Sequence, residues 1–222
     1  VIAPALRARG ITCIAADISV RVSGLSGGLQ VALDAEYLPF APGSFDLVVA
    51  CLSLHRVNDL PGCLIQLRSA LRPDGLLLVS LPVHDTLGPL RRALAEAELA
   101  LRGGTSPRVE PFPDLRACAE VLQRAGFALP VVDAEDILLE YRDPAQLLRD
   151  LRAAGESNTL ALRDRRFAPA ELFARALAQL SSRMVLRMAV LTGWAPSPTQ
   201  PKPLPRGSAE VSLIDALSRD GT

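Results

Sequence analysis

The sequence predicts an α/β protein built on a doubly wound sheet with helices on both faces. Mainly apolar runs at 11–16, 45–50 and 76–81 have the length and hydrophobicity of buried strands. An amphipathic stretch at 60–71, with Leu60, Leu64, Leu67 and Leu71 at helical spacing, separates the last two runs. Acids stand where strands end, Asp17 after 11–16 and Asp34 after 30–33, on the carboxyl edge where open sheets bind ligands.

Taken in order, residues 2–9 read as a helix feeding the strand at 11–16, which Gly10 and Asp17 bound. Gly24, Gly27 and Gly28 follow that strand and read as an ordinary turn before a short strand at 30–33. Pro42-Gly43 turns the chain into the strand at 45–50, and Arg72-Pro73-Asp74-Gly75 stops the helix that ends at 71. After the strand at 76–81, an Ala/Leu/Glu/Arg-rich helix runs over 86–101 to Gly103-Gly104, placed as a lid over the carboxyl ends of the strands. A helix at 114–125 stops at Gly126, and strand segments follow at 127–132 and 137–141. Helices at 144–153 and 170–180 precede a last strand at 184–194, and five prolines between 196 and 207 mark an irregular tail.

With 222 residues, 49% apolar and 22% charged, one domain is the expectation, residues 1–194, followed by a Pro-rich tail at 195–222. Lys plus Arg equal Asp plus Glu at 24 each, so no global field draws the chain to nucleic acid or anionic lipid. Cys13, Cys51, Cys63 and Cys118 lack the paired short spacing of a zinc site and read as structural thiols; no metal is expected. No apolar run reaches the ~20 residues of a membrane span, and no secretory signal pattern is present. A reducing compartment is expected.

Leu33-Asp34-Ala35-Glu36-Tyr37-Leu38-Pro39-Phe40, with Ser44-Phe45-Asp46-Leu47-Val48 after it, resembles the class I S-adenosylmethionine-dependent methyltransferases. The resemblance implies a Rossmann-like sheet with its last strand antiparallel, and S-adenosyl-L-methionine as cofactor. It also implies a first strand and a glycine-rich loop ahead of the opening helix. Neither is in this sequence, which opens at Val1, so a truncated domain is expected. That first strand belongs between the strands at 11–16 and 45–50, which without it must pair directly or stand apart.

A closer resemblance rests on Asp85-Thr86-Leu87, Ser106-Pro107-Arg108-Val109, Gly155-Glu156-Ser157-Asn158, Thr192-Gly193-Trp194 and Arg206-Gly207-Ser208-Ala209. These are similar to the methyltransferase-like assembly factors of respiratory complex I, described as arginine hydroxylases, whose relatives include the malonyl carrier-protein O-methyltransferases. The implied acceptor is a small molecule or a protein-borne group, on a carrier protein or a complex I subunit. The implied location is the cytoplasm, or the mitochondrial matrix in a eukaryote. A non-catalytic assembly factor that binds a partner is a further reading. Two departures stand out: Val83-His84 replaces Gly-Gly, and His55-Arg56-Val57-Asn58-Asp59 replaces a segment with Trp in the second place.

The resemblance assigns the cofactor to Asp17, Ile18, Asp34, Ala35 and Cys51. Asp17 at a strand end has the chemistry to accept from ribose hydroxyls, although it equally suits a helix cap. Asp34 suits an exocyclic amine, with small Ala35 leaving room for the purine. The acceptor side is assigned to His55, Asp85, Glu156 and Asn158. His55 reads either as a group that orients an acceptor or moves a proton, or as a packed histidine. Glu156 and Asn158 read either as a substrate clamp or as a capping turn between helices. Arg91, Arg92, Arg102 and Arg108 offer a basic rim to an acidic partner or a solvated helix face. No catalytic residue is assigned: methyl transfer to a carboxylate needs alignment and exclusion of water more than a base.

Overall fold

A computed structural model describes residues 2–201 and 212. Its strands form two sheets. The first is a parallel pair, β1 (Ala15–Asp17) and β2 (Gln30–Ala32), in register Ala15 to Gln30 and Asp17 to Ala32. The second has the order β3 (Phe45–Cys51), β4 (Leu71–Pro82), β6 (Arg183–Trp194) and β5 (Ala128–Glu140). β3 and β4 are parallel, whereas β6 runs antiparallel to both neighbours, Val79 opposite Leu191 and Val132 opposite Leu191 on the other side.

The strands at 11–16 and 45–50 therefore stand apart: among the described residues β1 ladders only with β2, and β3 only with β4. β1 is also shorter than its apolar run, because β2 offers it only three residues to pair with. Ile11 and Ile14, ahead of β1, stay 42% exposed.

Seven α-helices connect the strands among the described residues. α1 (Ile2–Arg7) precedes β1, and α2 (Val20–Gly24) follows it with Ser19 as N-cap, so Gly24 ends a short helix while Gly27 and Gly28, both at positive φ, lie in the turn before β2. α3 (Leu60–Ala70) is capped by Asp59 with Pro61 in its first turn, and α5 (Leu115–Arg124) by Asp114. Both pack on one sheet face, where Leu64, Leu67, Leu77, Val79, Leu122 and Leu191 make the larger core.

α4 (Gly88–Arg102), α6 (Pro144–Ala153) and α7 (Ala170–Ala178) make a second layer. Its core joins Leu90, Leu94, Leu147 and Leu172 to Met184, at the end of β6 that projects past the pairing of Pro82 with Met188. α4 follows the carboxyl end of β4 in the chain, six residues after Pro82.

Two differences from the sequence reading have local causes. Arg72-Pro73-Asp74-Gly75 is a bulge inside β4 rather than a break before it: the pairing slips between Phe45–Leu71 and Leu47–Leu76, and Asp74 takes φ 62°. A Cβ on Gly75 would lie 2.8 Å from the Arg72 carbonyl oxygen, so glycine permits the bulge. The segments at 127–132 and 137–141 are one strand, because β6 is long enough to pair through the polar residues between them.

Candidate functional site

The parallel register of β1 and β2 brings Asp17 and Asp34 to one edge, with the Leu33 amide donating to the Asp17 carbonyl at 3.1 Å. Each carboxylate spends Oδ1 on a backbone N–H two residues ahead, Asp17 on Ser19 at 2.8 Å and Asp34 on Glu36 at 2.9 Å. These Asx turns fix the side chains, and Oδ2 of each takes no hydrogen bond among the described residues. Ser19 caps α2, so Asp17 is one step removed from the cap. Ile18 is 74% exposed beside it, and Ala35 is half-buried against the larger core.

The Asp34 turn is tied to the next element by residues the sequence reading passed over. Glu36 Oε1 accepts from the Asn58 backbone and side-chain amides, and the Gln66 amide bridges the Glu36 carbonyl and the Leu38 N–H. No local pattern announces these contacts, since they join positions 22 to 30 residues apart.

β3 ends at Cys51, exposed and receiving the Ser80 hydroxyl at 3.1 Å; the chain then makes a 3₁₀ turn, Leu54–Arg56. This turn holds His55 with its side chain 3% exposed, its Nε2 3.1 Å from Glu156 Oε1 and its Nδ1 buried without a hydrogen-bond partner among the described residues. A carboxylate only accepts, so Nε2 is the donor. The Phe112 ring lies 6.4 Å from the imidazole.

Arg56, which departs from the family's Trp, fastens the same loop. Its guanidinium donates to the Gly155 carbonyl and to Thr159 Oγ1, both at 2.8 Å. Two acceptor-side candidates a hundred residues apart in the chain, His55 and Glu156, thus meet. Asn158 serves the loop, donating to the Pro107 carbonyl and accepting from the Leu160 N–H.

Asp85 sits at φ 74° in the turn before α4, 3.3 Å from His84 Nδ1 and 3.8 Å from Arg187. Adjacent residues at a strand end would point apart; the left-handed turn brings these two together instead. Both are well exposed.

Behind Glu156 lies a cavity of about 240 Å³ between α4, α6, α7 and the loops at 107–112 and 156–160. Its walls are mainly apolar, Leu90, Leu94, Phe112, Leu151 and Phe173 among them, and Arg108, Glu110, Arg152 and Glu156 supply charge of both signs. A larger, open cleft of about 690 Å³ at the β5–α6 junction holds none of the candidate residues.

The basic rim is mostly engaged internally. Arg91 donates to the Glu110 carbonyl, Arg102 to Asp164 and the Phe167 carbonyl, and Arg108 to Glu98. Glu98, 2% exposed, also accepts from the Ser106 amide at 2.8 Å and from the Ser106 hydroxyl. Burial pushes its carboxyl up, but Arg108 and Ser106 outweigh that and hold it below the usual glutamate range.

Two of the four thiols are inert by environment. Burial pushes Cys63 up to about 11, helped by the carboxylates of Glu36, Asp59 and Asp34, and burial pushes Cys118 to about 11 with help from Asp114. At pH 8 such a thiol is roughly one part in a thousand thiolate. Iodoacetamide is expected to label exposed Cys51 and to spare Cys63 and Cys118 until the chain unfolds, read by peptide mass spectrometry. Equal labelling of Cys63 in the folded chain would contradict this packing.

Residues 1–130 match a family model described as a methyltransferase domain. The chain belongs to this methyltransferase domain family. It is 36% identical over 199 residues to the mitochondrial arginine-hydroxylase NDUFAF5 of Danio rerio, covering 86% of this chain and 62% of that protein. It is 42% identical over 133 residues to the malonyl-[acyl-carrier protein] O-methyltransferase of Xylella fastidiosa, covering 60% of this chain and 42% of that one. The chain spans about three fifths of the length of the arginine-hydroxylase relatives.

Among solved structures, it superposes on a Bacillus halodurans protein provisionally assigned as a methyltransferase, with TM-score 0.59 over 88% of both chains at 15% identity. That likeness concerns the fold, an α/β methyltransferase-like architecture with a mixed sheet. Among the described residues no helix is long and apolar enough to cross a membrane. The Arg206-Gly207-Ser208-Ala209 element lies outside the described residues.

Proposed function

We propose that this chain binds S-adenosyl-L-methionine and directs its methyl group to a small-molecule or protein-borne acceptor. The observation that supports this best is the pair of strand-end acids, Asp17 and Asp34, each fixed by its own backbone through one oxygen. That chemistry suits the hydroxyls and amine of a nucleoside, with Ile18 and Ala35 beside them in the chain and Cys51, at the end of β3 in the other sheet, assigned by the family resemblance alone. The cofactor supplies an electrophilic methyl on a sulfonium. The chain's own part is to hold the nucleoside end and to exclude water from the acceptor under α4, which acts as a lid over His55, Glu156 and Asn158, with Asp85 at its exposed rim. The family's glycine-rich loop, which holds the methionine end, is not among these residues.

The test is calorimetric titration with S-adenosylhomocysteine, into the chain itself and into the chain joined to a preceding strand and glycine-rich loop of the family's kind. Loss of a charge-assisted hydrogen bond costs about 1.5–3 kcal/mol, roughly ten- to a hundredfold in Kd. Asp17→Asn and Asp34→Asn are each expected to weaken binding by that order in whichever form binds. If neither form binds, the cofactor reading fails, and a partner-binding assembly factor takes its place.

A second reading is hydroxylation of a protein arginine on a respiratory complex I subunit. It is favoured by the extent of the match to the arginine-hydroxylase relatives, which takes in most of this chain rather than about 60% of it. Product mass separates the two, since one adds a methylene and the other an oxygen. The location that goes with this reading is the cytoplasm, or the mitochondrial matrix in a eukaryote, as the name of the mitochondrial relatives supports.

A further inference from the structure

We infer that the loop at 160–169 is a docking site for an acidic, apolar-centred segment of a partner protein, with Leu162 and Phe167 as its anchors and the arginines between them as the charges that select it. The inference rests on the methyl-transfer reading above in that this partner carries a protein-borne acceptor. The docking contact itself needs no cofactor.

Phe167 is 90% exposed and Leu162 85%, the two most exposed large apolar side chains among the described residues. A single exposed apolar residue is ordinary on a protein surface, but these two stand in one loop with Arg163, Arg165 and Arg166 between them. Aromatic and arginine side chains together are what the centres of protein interfaces are made of.

The charge of the loop is positive and largely uncancelled. Asp164, the one acid at 160–169, is shared between Arg102 at 2.6 Å and Arg166 at 3.0 Å. Arg163 spends its guanidinium on the Leu160 carbonyl at 3.0 Å, and Arg165 is exposed, so neither meets an acid among the described residues. The chain as a whole is neutral by formal count, which makes this a local feature, and its complement is an acidic surface.

The backbone beneath these side chains is already held. The Arg163 amide donates to the Leu160 carbonyl at 3.1 Å, on either side of Leu162, and the Arg166 amide to Asp164 Oδ1 at 2.9 Å. Arg102, the last residue of α4, donates to the Phe167 carbonyl at 2.8 Å. A partner therefore meets side chains presented in place and gives up little entropy in ordering them.

Position connects the loop to the site. Leu160 at its start and Phe173, just past its end in α7, both line the cavity under α4, so a segment docked here lies beside the cavity walls. A lipid surface is the weaker match: two apolar side chains and three arginines offset by an acid fall short of the paired anchoring signals that stable membrane attachment takes.

The probe is a helical peptide of ~18 residues with leucines three and four apart and glutamates elsewhere, and its control carries lysines in place of the glutamates. By fluorescence anisotropy at low salt, the acidic peptide is expected to bind this chain and the basic one not, and added salt to weaken the complex. Leu162→Ala combined with Phe167→Ala is expected to weaken binding about tenfold or more. Arg165→Gln combined with Arg166→Gln is expected to flatten its salt dependence. All four side chains are exposed, so both double variants should keep the urea midpoint of the unsubstituted chain.

No binding of the acidic peptide, equal binding of both peptides, or an affinity that neither double variant changes would overturn the inference. So would a lowered urea midpoint in the Leu162/Phe167 variant, which would mean that these side chains pack internally. Tighter association with vesicles of equal parts phosphatidylglycerol and phosphatidylcholine than with the acidic peptide would make the loop a membrane contact instead. Peptide binding without S-adenosylhomocysteine binding strikes the cofactor reading alone, and the reverse strikes the docking loop alone.

Discussion

Glu98→Ala is expected to destabilise the folded chain by about 3–5 kcal/mol, read as a lowered urea midpoint at unchanged slope. Glu98 is 2% exposed and lies at the centre of a polar knot: Arg108, the Ser106 amide and hydroxyl, and Arg102 at 3.6 Å all point at its carboxylate. Removing the carboxylate leaves the Arg108 guanidinium, 13% exposed, as a desolvated cation, and that residual charge is the larger part of the cost.

The sign with pH follows from the same contacts. The folded-state pKa of Glu98 is depressed, so its contribution is complete above the ordinary glutamate value of ~4.3 and fades as pH falls through the lower folded value. The penalty of Glu98→Ala measured at pH 7 should therefore shrink in acid. Glu98→Leu combined with Arg108→Met should recover most of the loss, because an apolar pair carries no desolvation penalty. A double variant no more stable than Glu98→Ala would show that the knot does something other than neutralise a buried charge. Asp164, held down to about 2 chiefly by the Arg166 guanidinium, joins this network through Arg102 and carries the loop after the cavity.

The parts of this molecule that could be read in advance are those encoded locally. Apolar runs gave β3 and the body of β4, leucines at helical spacing gave α3, and the acids Asp17 and Asp34 stand at the ends of β1 and β2. The boundaries that slipped were set by partners rather than by the segment itself. β1 shrank to three residues because β2 pairs with no more, and β5 ran on through Asp133 and Glu135 because β6 continues opposite it. The candidate residues were nameable one at a time, but not their pairing. Nothing in Leu54-His55-Arg56 or in Gly155-Glu156-Ser157 states that they meet, because the contact depends on α6, α7 and the loop between them coming back over the 3₁₀ turn. The contacts of Glu36, Gln66, Glu98 and Ser106 were illegible for the same reason: a polar residue with long-range partners looks like a solvated one until those partners are known.

That dependence on a second layer leads to a test of how the site opens. Leu172→Ala is expected to cost about 2–5 kcal/mol, since Leu172 is fully buried between α4 and α7 and truncation leaves a void. The two cores share no buried residue, with Leu64, Leu77 and Leu191 in one and Leu90, Leu94, Leu172 and Met184 in the other. In Leu172→Ala, amide exchange should therefore quicken in α4 and α7 while β4 and α3 keep their protection. Leu77→Ala, at a similar cost, should loosen both layers, because α4, α6 and α7 rest on strands the first core holds in place. Uniform acceleration in Leu172→Ala would mean that the layers unfold as one unit and that an acceptor enters by some other motion. If they separate as expected, the cavity can open at its α4–α7 wall while Arg56 and His55 keep the loop at 155–159 fastened to the sheet. On the proposed reading, an acceptor then exchanges without disturbing Asp17 and Asp34.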